Sequence, residues 1–146
     1  MLEIRDADFE ETAPASPMLL ITRLVCSLAG VEQDVFISPD TIAFSAYGKG
    51  IVTEKFTCNY GLNEAYKSDI ISKMLNIVGK DAAGNARIAE LGSHPFFIAT
   101  LFLPQRSSKP GSPHPLIVGF LKAGMTFKTS RFDHGVKKSL RTEFLA

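Results

Sequence analysis

Eight consecutive residues, Phe96 to Leu103, are apolar except for Thr100. A run of that length is far short of the roughly 20 residues a membrane-spanning helix requires, and too uniformly apolar for a strand with one wet face. It predicts a strand covered on both sides, as in the middle of an α/β sheet, with functional positions at its C-terminal end. There the chain reads Leu103-Pro104-Gln105-Arg106, followed by a loop rich in Ser, Lys, Pro and Gly. A helix is expected from His114-Pro115, with Pro in its first turn. It should bury Leu116, Ile117, Phe120 and Leu121 and end at Gly124.

The remaining elements follow from periodicity. Residues 1–17 carry Glu3, Asp6, Asp8, Glu10 and Glu11 with Pro14 and Pro17, the pattern of a solvated lead-in. Met18 to Val25 and Val35 to Ile37 read as strands around a Gly30 turn, Ser38-Pro39-Asp40 as a turn, and Thr41 to Phe44 as more β-rich chain. From Ile51 to Tyr60, Val52, Phe56, Cys58 and Tyr60 share one face of an extended segment, and only Glu54 is out of place on it. Over residues 63–74 the period changes. Tyr66, Ile70, Ile71 and Met74 against Glu64, Lys67, Asp69 and Lys73 predict an amphipathic helix with Asn63 as its N-cap. Leu75 to Val78 and Ala86 to Leu91 then form a hairpin around the loop 79–85.

Length and composition limit the function classes. The chain has 146 residues, 45% hydrophobic and 21% charged, with a net charge of +1. That fits one domain with a real core, and no bulk charge favours nucleic acid. The N-terminus lacks the basic start and apolar run of a secretory signal, so the chain reads as cytoplasmic, with no membrane span. Two cysteines, Cys26 and Cys58, read as free thiols that pack as small hydrophobes. With three histidines they show none of the paired short spacings of a zinc site, so no metal and no cofactor are expected. Gly48-Lys49-Gly50 and Gly79-Lys80 lack the phosphate-loop form and read as turns. From Met125 onward, five basic residues stand against Asp133 and Glu143, with Val136, Leu140 and Phe144 at four-residue spacing: a short basic amphipathic helix that either docks or folds back.

One long stretch matches a known pattern. His94-Pro95-Phe96-Phe97, Phe102-Leu103-Pro104-Gln105, Ser108, Pro110, Pro113-His114-Pro115-Leu116 and Gly119-Phe120 fall without a gap on H-P-[WF]-F-x(4)-F-H-P-E-F-x-S-x-P-x-x-P-H-P-L-F-x-G-F. This closely resembles the end of the glutamine amidotransferase domain of the CTP synthase family. Thr53 to Tyr66 is similar to that family's E-R-H-R-H-R-Y-E-[VF]-N-x-x-Y segment, and Leu2 to Asp8 resembles the stretch just after its nucleophile-bearing helix. The resemblance implies an α/β fold: the C-terminal portion of a class I glutamine amidotransferase-like (flavodoxin-like) three-layer domain with an antiparallel hairpin part. It implies domain bounds of 1–124 with a basic extension over 125–146, and a link to pyrimidine nucleotide biosynthesis.

In that family a cysteine on a G-x-C-x-G elbow hydrolyses glutamine, and the ammonia converts UTP to CTP at a separate ATP-dependent synthetase domain. A histidine moves the proton to and from the thiol, and a glutamate orients the imidazole, which is the division of labour this chemistry needs. The resemblance puts Leu103 at the histidine position and Gln105 at the glutamate position, and neither can do that work. Cys58, Asn59 and Gly61 replace the family's histidine, arginine and glutamate in the second motif, and the chain is expected to begin after the elbow. The expectation is therefore a degenerate amidotransferase-like domain without confident catalytic residues. It would act as a binding or interaction module, with Asn59, Tyr60 and Arg106 as candidate ligand contacts for a small molecule and with a partner protein or a second copy to cover its open strand edge. The alternatives are a thiol-dependent or redox enzyme using Cys58, near Lys55 and Arg106, and a truncated relative of a glutamine-hydrolysing CTP synthase.

Overall fold

A computed structural model describes residues 6–66 and 75–143, the last fourteen of these as backbone. Eight strands, three helices and one 3₁₀ turn are seen among them. In order, they are β1 (Asp8–Phe9), β2 (Leu19–Arg23), β3 (Glu32–Ile37), α1 (Ile42–Tyr47), β4 (Ile51–Lys55), β5 (Tyr60–Leu62) and the 3₁₀ turn Glu64–Tyr66. Then come β6 (Leu75–Lys80), β7 (Ala86–Leu91), β8 (Ile98–Thr100), α2 (Pro104–Ser107) and α3 (Pro115–Glu143). A three-stranded sheet has the order β1-β2-β5, and an antiparallel five-stranded sheet the order β4-β3-β6-β7-β8.

The pleat sorts β3 and β4 in the way alternation requires. Val35, Ile37, Val52 and Glu54 are buried, while Glu32 and Lys55 pair at 2.7 Å and Thr53 donates to Asp34 at 2.7 Å on the outer face. The core continues through Phe56, Val78, Ile88 and Phe102, with Leu116 of α3 closing it. The expected hairpin is present as β6 and β7, although β6 runs on through Gly79 and Lys80 and the loop shrinks to 81–85.

Five expectations are corrected. Residues 6–17 are tied down: Asp8 N–H donates to Met18 O at 2.8 Å, β1 lies parallel to β2, and the Phe9 ring meets Tyr60 edge-on at 5.0 Å. Ile42–Tyr47 is helical, because Thr41 Oγ1 caps Phe44 N–H at 3.1 Å, Gly48 takes the left-handed φ of 71° at the other end, and buried Glu90 accepts from Ala43 N–H at 3.2 Å. The run Phe96 to Leu103 is not a central strand. Only Ile98–Thr100 pairs, at the edge of its sheet, and the neighbouring apolar residues serve ring contacts: Phe96 with Phe120 at 6.0 Å and Phe102 with Phe56 at 5.7 Å. Gly124 does not end the last helix, which continues to Glu143, and of the residues that helix was expected to bury, Leu116 is in the core while Phe120 and Leu121 are exposed. In the segment 63–74, Asn63 does cap, its Oδ1 accepting from Ala65 N–H at 3.1 Å, but the turn it caps is 3₁₀, and residues 67–74 lie outside those described. So do the side chains of Val136, Leu140 and Phe144 in the basic extension. Among the described residues, no helix is long and apolar enough to cross a membrane.

Candidate functional site

The two motif segments meet at one corner of the fold. The Phe56–Phe102 contact holds the chain before Cys58 against the chain before Leu103, and a Cβ on Gly61 would lie 3.6 Å from Leu101 Cδ2. Beyond this contact, Leu103 is the N-cap of α2 without a side-chain cap, and Pro104 starts the helix. Leu103, Gln105 and Arg106 are exposed there. Cys58 is half-buried, and its carbonyl accepts from Leu28 N–H at 3.1 Å. Asn59 is exposed, with Oδ1 accepting from Ser27 Oγ at 2.6 Å. Tyr60 carries the Arg23 guanidinium over its ring at 5.5 Å, and its hydroxyl accepts from Arg23 Nη2 at 3.3 Å. Lys55 is engaged with Glu32 on the outer face rather than with Cys58.

Arg23 also borders a cleft of about 470 Å³, whose wall includes Cys26, Gln33, Glu64, Asp81 and Arg87. Its floor is a buried polar cluster. Arg87 Nη2 pairs with Asp81 Oδ2 at 2.7 Å and Arg87 Nε donates to Gln33 Oε1 at 3.3 Å, while Asp81 Oδ1 accepts the N–H groups of Ala83 and Asn85. Burial pushes the Asp81 carboxyl up. The hydrogen bonds from Asn85, the Arg87 charge and the Ala83 N–H outweigh it, so the group sits below the usual carboxylate range. Of the binding residues picked from sequence, Tyr60 reaches this cleft through Arg23, while Asn59 and Arg106 stand on the surface.

A second buried cluster joins three elements. Glu54 Oε1 accepts from Tyr47 Oη at 2.5 Å and faces His114 Nε2 at 3.0 Å. His114 Nδ1 accepts from Leu116 N–H at 3.2 Å, so the ring proton sits on Nε2 and is donated to Glu54. His114 is therefore the N-cap of α3, in keeping with its position ahead of Pro115. His94 does the same for its own turn, with Nδ1 accepting from Phe96 N–H at 3.2 Å. The 5% exposure of His114 keeps it from any substrate in this conformation. Sequence reasoning passed over Tyr47, Asp81 and Arg87; the one signal was Glu54, a carboxylate on an otherwise apolar face. Among the described residues, no group of three or more His, Cys, Asp or Glu is arranged to hold a metal ion.

No family model matches the chain. It is 38% identical over 134 residues to the CTP synthase of Microcystis aeruginosa, spanning 87% of this chain and 24% of that protein. It is 43% identical over 90 residues to the CTP synthase of Rippkaea orientalis, spanning 61% and 16%. The chain thus spans about a quarter or less of the length of these curated relatives. In fold it is similar to the glutaminase domain of Trypanosoma brucei CTPS solved with bound acivicin, with a TM-score of 0.79 at 24% identity, covering 86% of this chain and 53% of that one.

Proposed function

From a chain that is a CTP synthase glutamine amidotransferase-related domain, we propose a binding or interaction module that does not hydrolyse glutamine through its Leu103–Gln105 corner. The observation that carries this reading is the side chain at the proton-transfer position of the motif. Leucine has no group that can take a proton from a thiol or return one to a leaving amine, and a neutral amide at Gln105 cannot stabilise an imidazolium. Interaction is supported by apolar surface on α3, where Phe120, Leu121 and Met125 are 60%, 58% and 70% exposed. It is supported also by β8, whose Ile98 and Thr100 backbone groups face away from β7. The expected result is no ammonia release from glutamine above the buffer rate, together with self-association or complex formation in sedimentation. Robust glutaminase turnover would overturn the first half, and a monodisperse monomer that binds nothing would overturn the second.

A second reading is favoured by coverage: these residues correspond to about half of the similar glutaminase domain. They would then be a portion of a longer glutamine-hydrolysing relative. An in-frame G-x-C-x-G elbow in the coding DNA ahead of Met1 would establish it, and an in-frame stop without such an elbow would remove it.

A further inference from the structure

The pairing of β2 with β5 places Arg23 opposite Tyr60, and the ladder continues one residue further, with Leu24 N–H donating to Asn59 O at 2.8 Å. The next hydrogen bonds join Leu28 N–H to Cys58 O at 3.1 Å and Gly30 N–H to Phe56 O at 3.0 Å. The register has therefore slipped. Val25, Cys26 and Ser27 loop out as a three-residue bulge opposite the single peptide that links Cys58 to Asn59. Cys26 is the middle residue of that bulge. It is two residues from each anchor, so its Cα lies within about 7 Å of Leu24 and of Leu28 by chain reach alone. The bulge stands off the sheet, with Val25 fully exposed and Cys26 exposed, while Cys58 on the facing strand is half-buried. Two cysteines that are 32 residues apart in sequence, neither bonded in the structure, thus lie on paired segments one ladder step apart.

We propose that Cys26 and Cys58 form a thiol pair that a low-molecular-weight disulfide oxidises to an intrachain disulfide, with the bulge folding inward by the short distance the bond requires. The exposed Cys26 thiolate attacks one sulfur of the external disulfide, forming a mixed disulfide and releasing one thiolate. The Cys58 thiolate then attacks the Cys26 sulfur, forming the Cys26–Cys58 bond and releasing the second thiolate. The two protons lost by the cysteines end on the two released thiols. The protein is oxidised by two electrons and the external disulfide is reduced by the same two. The inference is independent of the glutaminase reading and concerns a different pair of atoms.

The test is to treat reduced full-length protein with glutathione disulfide at neutral pH, quench by alkylation, and follow intact mass and peptide maps, in native buffer and in urea. The expected product is an intrachain Cys26–Cys58 disulfide that forms at least about tenfold faster in native protein than in unfolded chain, because the fold supplies a higher local thiol concentration. Cys58→Ser should stop at a stable glutathione adduct on Cys26, and Cys26→Ser should slow the reaction of the remaining thiol. The proposal is overturned by glutathione adducts or interchain disulfides as the only products. It is equally overturned by a native rate no greater than the rate in urea, or by Cys26→Ser leaving oxidation of Cys58 as fast as before.

Discussion

Replacing His114 tests the central physical claim about this fold, that one buried imidazole does two separable jobs. Its Nε2–H bonds the buried Glu54 carboxylate at 3.0 Å, and its Nδ1 caps Leu116 N–H at 3.2 Å. A hydrogen bond to a charged buried group contributes about 1.5–3 kcal/mol. A lost N-cap costs about 1 kcal/mol, and the space left beside the Tyr47 and Phe102 rings adds about 1 kcal/mol more. His114→Ala is therefore expected to cost about 4 kcal/mol, with Tyr47 still donating to Glu54 and limiting the loss. In a chain of this size that lowers Tm by roughly 8–16 °C. The two jobs separate by isostere. Asparagine places an oxygen near the Nδ1 position and keeps the cap while losing Glu54; glutamine reaches Glu54 and loses the cap. The expected order of cost is His114→Ala, then His114→Asn, then His114→Gln, read from urea denaturation followed by far-UV circular dichroism. In a Glu54→Gln background, with no carboxylate left to orphan, the cost of His114→Ala should shrink by about 1–2 kcal/mol. An alanine variant that loses less than about 1 kcal/mol, or asparagine and glutamine variants of equal stability, would refute the reasoning.

Two further outcomes follow from other parts of the packing. Burial, then the hydrogen bond and negative charge of Glu54, push the Tyr47 phenol far above its ordinary value. The folded state keeps a proton that the unfolded chain loses above about pH 10. The stabilisation is full below that pH and falls as pH rises past it, by at most about 1.4 kcal/mol per unit. Tyr47→Phe should flatten that fall between about pH 9 and about pH 11, and denaturation curves showing parallel losses in both proteins would count against it. Gly79 lies where β6 slips register against β7, and a Cβ there would sit 2.7 Å from Ile88 Cγ1 and 2.8 Å from Ile88 Cβ. Gly79→Ala should cost about 1–3 kcal/mol by overpacking. Gly92→Ala, whose Cβ would meet only Asn76 Nδ2 at 3.4 Å, is the control in the same thermal-melt experiment and should cost much less.

Elements set by neighbours in sequence were readable, and those set by distant residues were not. The β6–β7 hairpin follows from two short runs around a turn, Asn63 caps where its side-chain type and position said it would, and the last helix starts at Pro115 as expected. Thr41 to Phe44 looked extended because Ile, Ala and Phe suit either state, whereas Ile42–Tyr47 is helical. Its helix depends on Glu90, 47 residues away, accepting the Ala43 N–H, and on Gly48 adopting φ 71°. The run Phe96 to Leu103 was misread for a related reason. Uniform apolarity implied burial on both faces, yet Phe97, Ala99 and Leu103 are exposed and only Phe102 of the run is fully buried, against the Phe56 ring. In the candidate site, Glu54 announced itself by breaking a pattern, whereas Asp81 and Arg87 lie in a loop and a strand where charged residues are ordinarily solvated.

The same distinction bears on what the motif resemblance means. Positions of the stretch 94–120 that agree with the pattern have physical duties in this fold. His94 bonds its own turn, Phe102 fills the core against Phe56, and His114 caps α3 and meets Glu54. At Gly119 a Cβ would come within 2.8 Å of the Phe96 ring. Leu103 and Gln105, where the chain departs from the pattern, are exposed at the start of α2, and among the described residues neither side chain makes a hydrogen bond. Packing does not demand leucine or glutamine there, and an exposed helix start would accommodate a histidine or a glutamate as readily. The fold therefore carries both departures without rearrangement. The agreement across the motif speaks for architecture, while these two exposed positions speak about function.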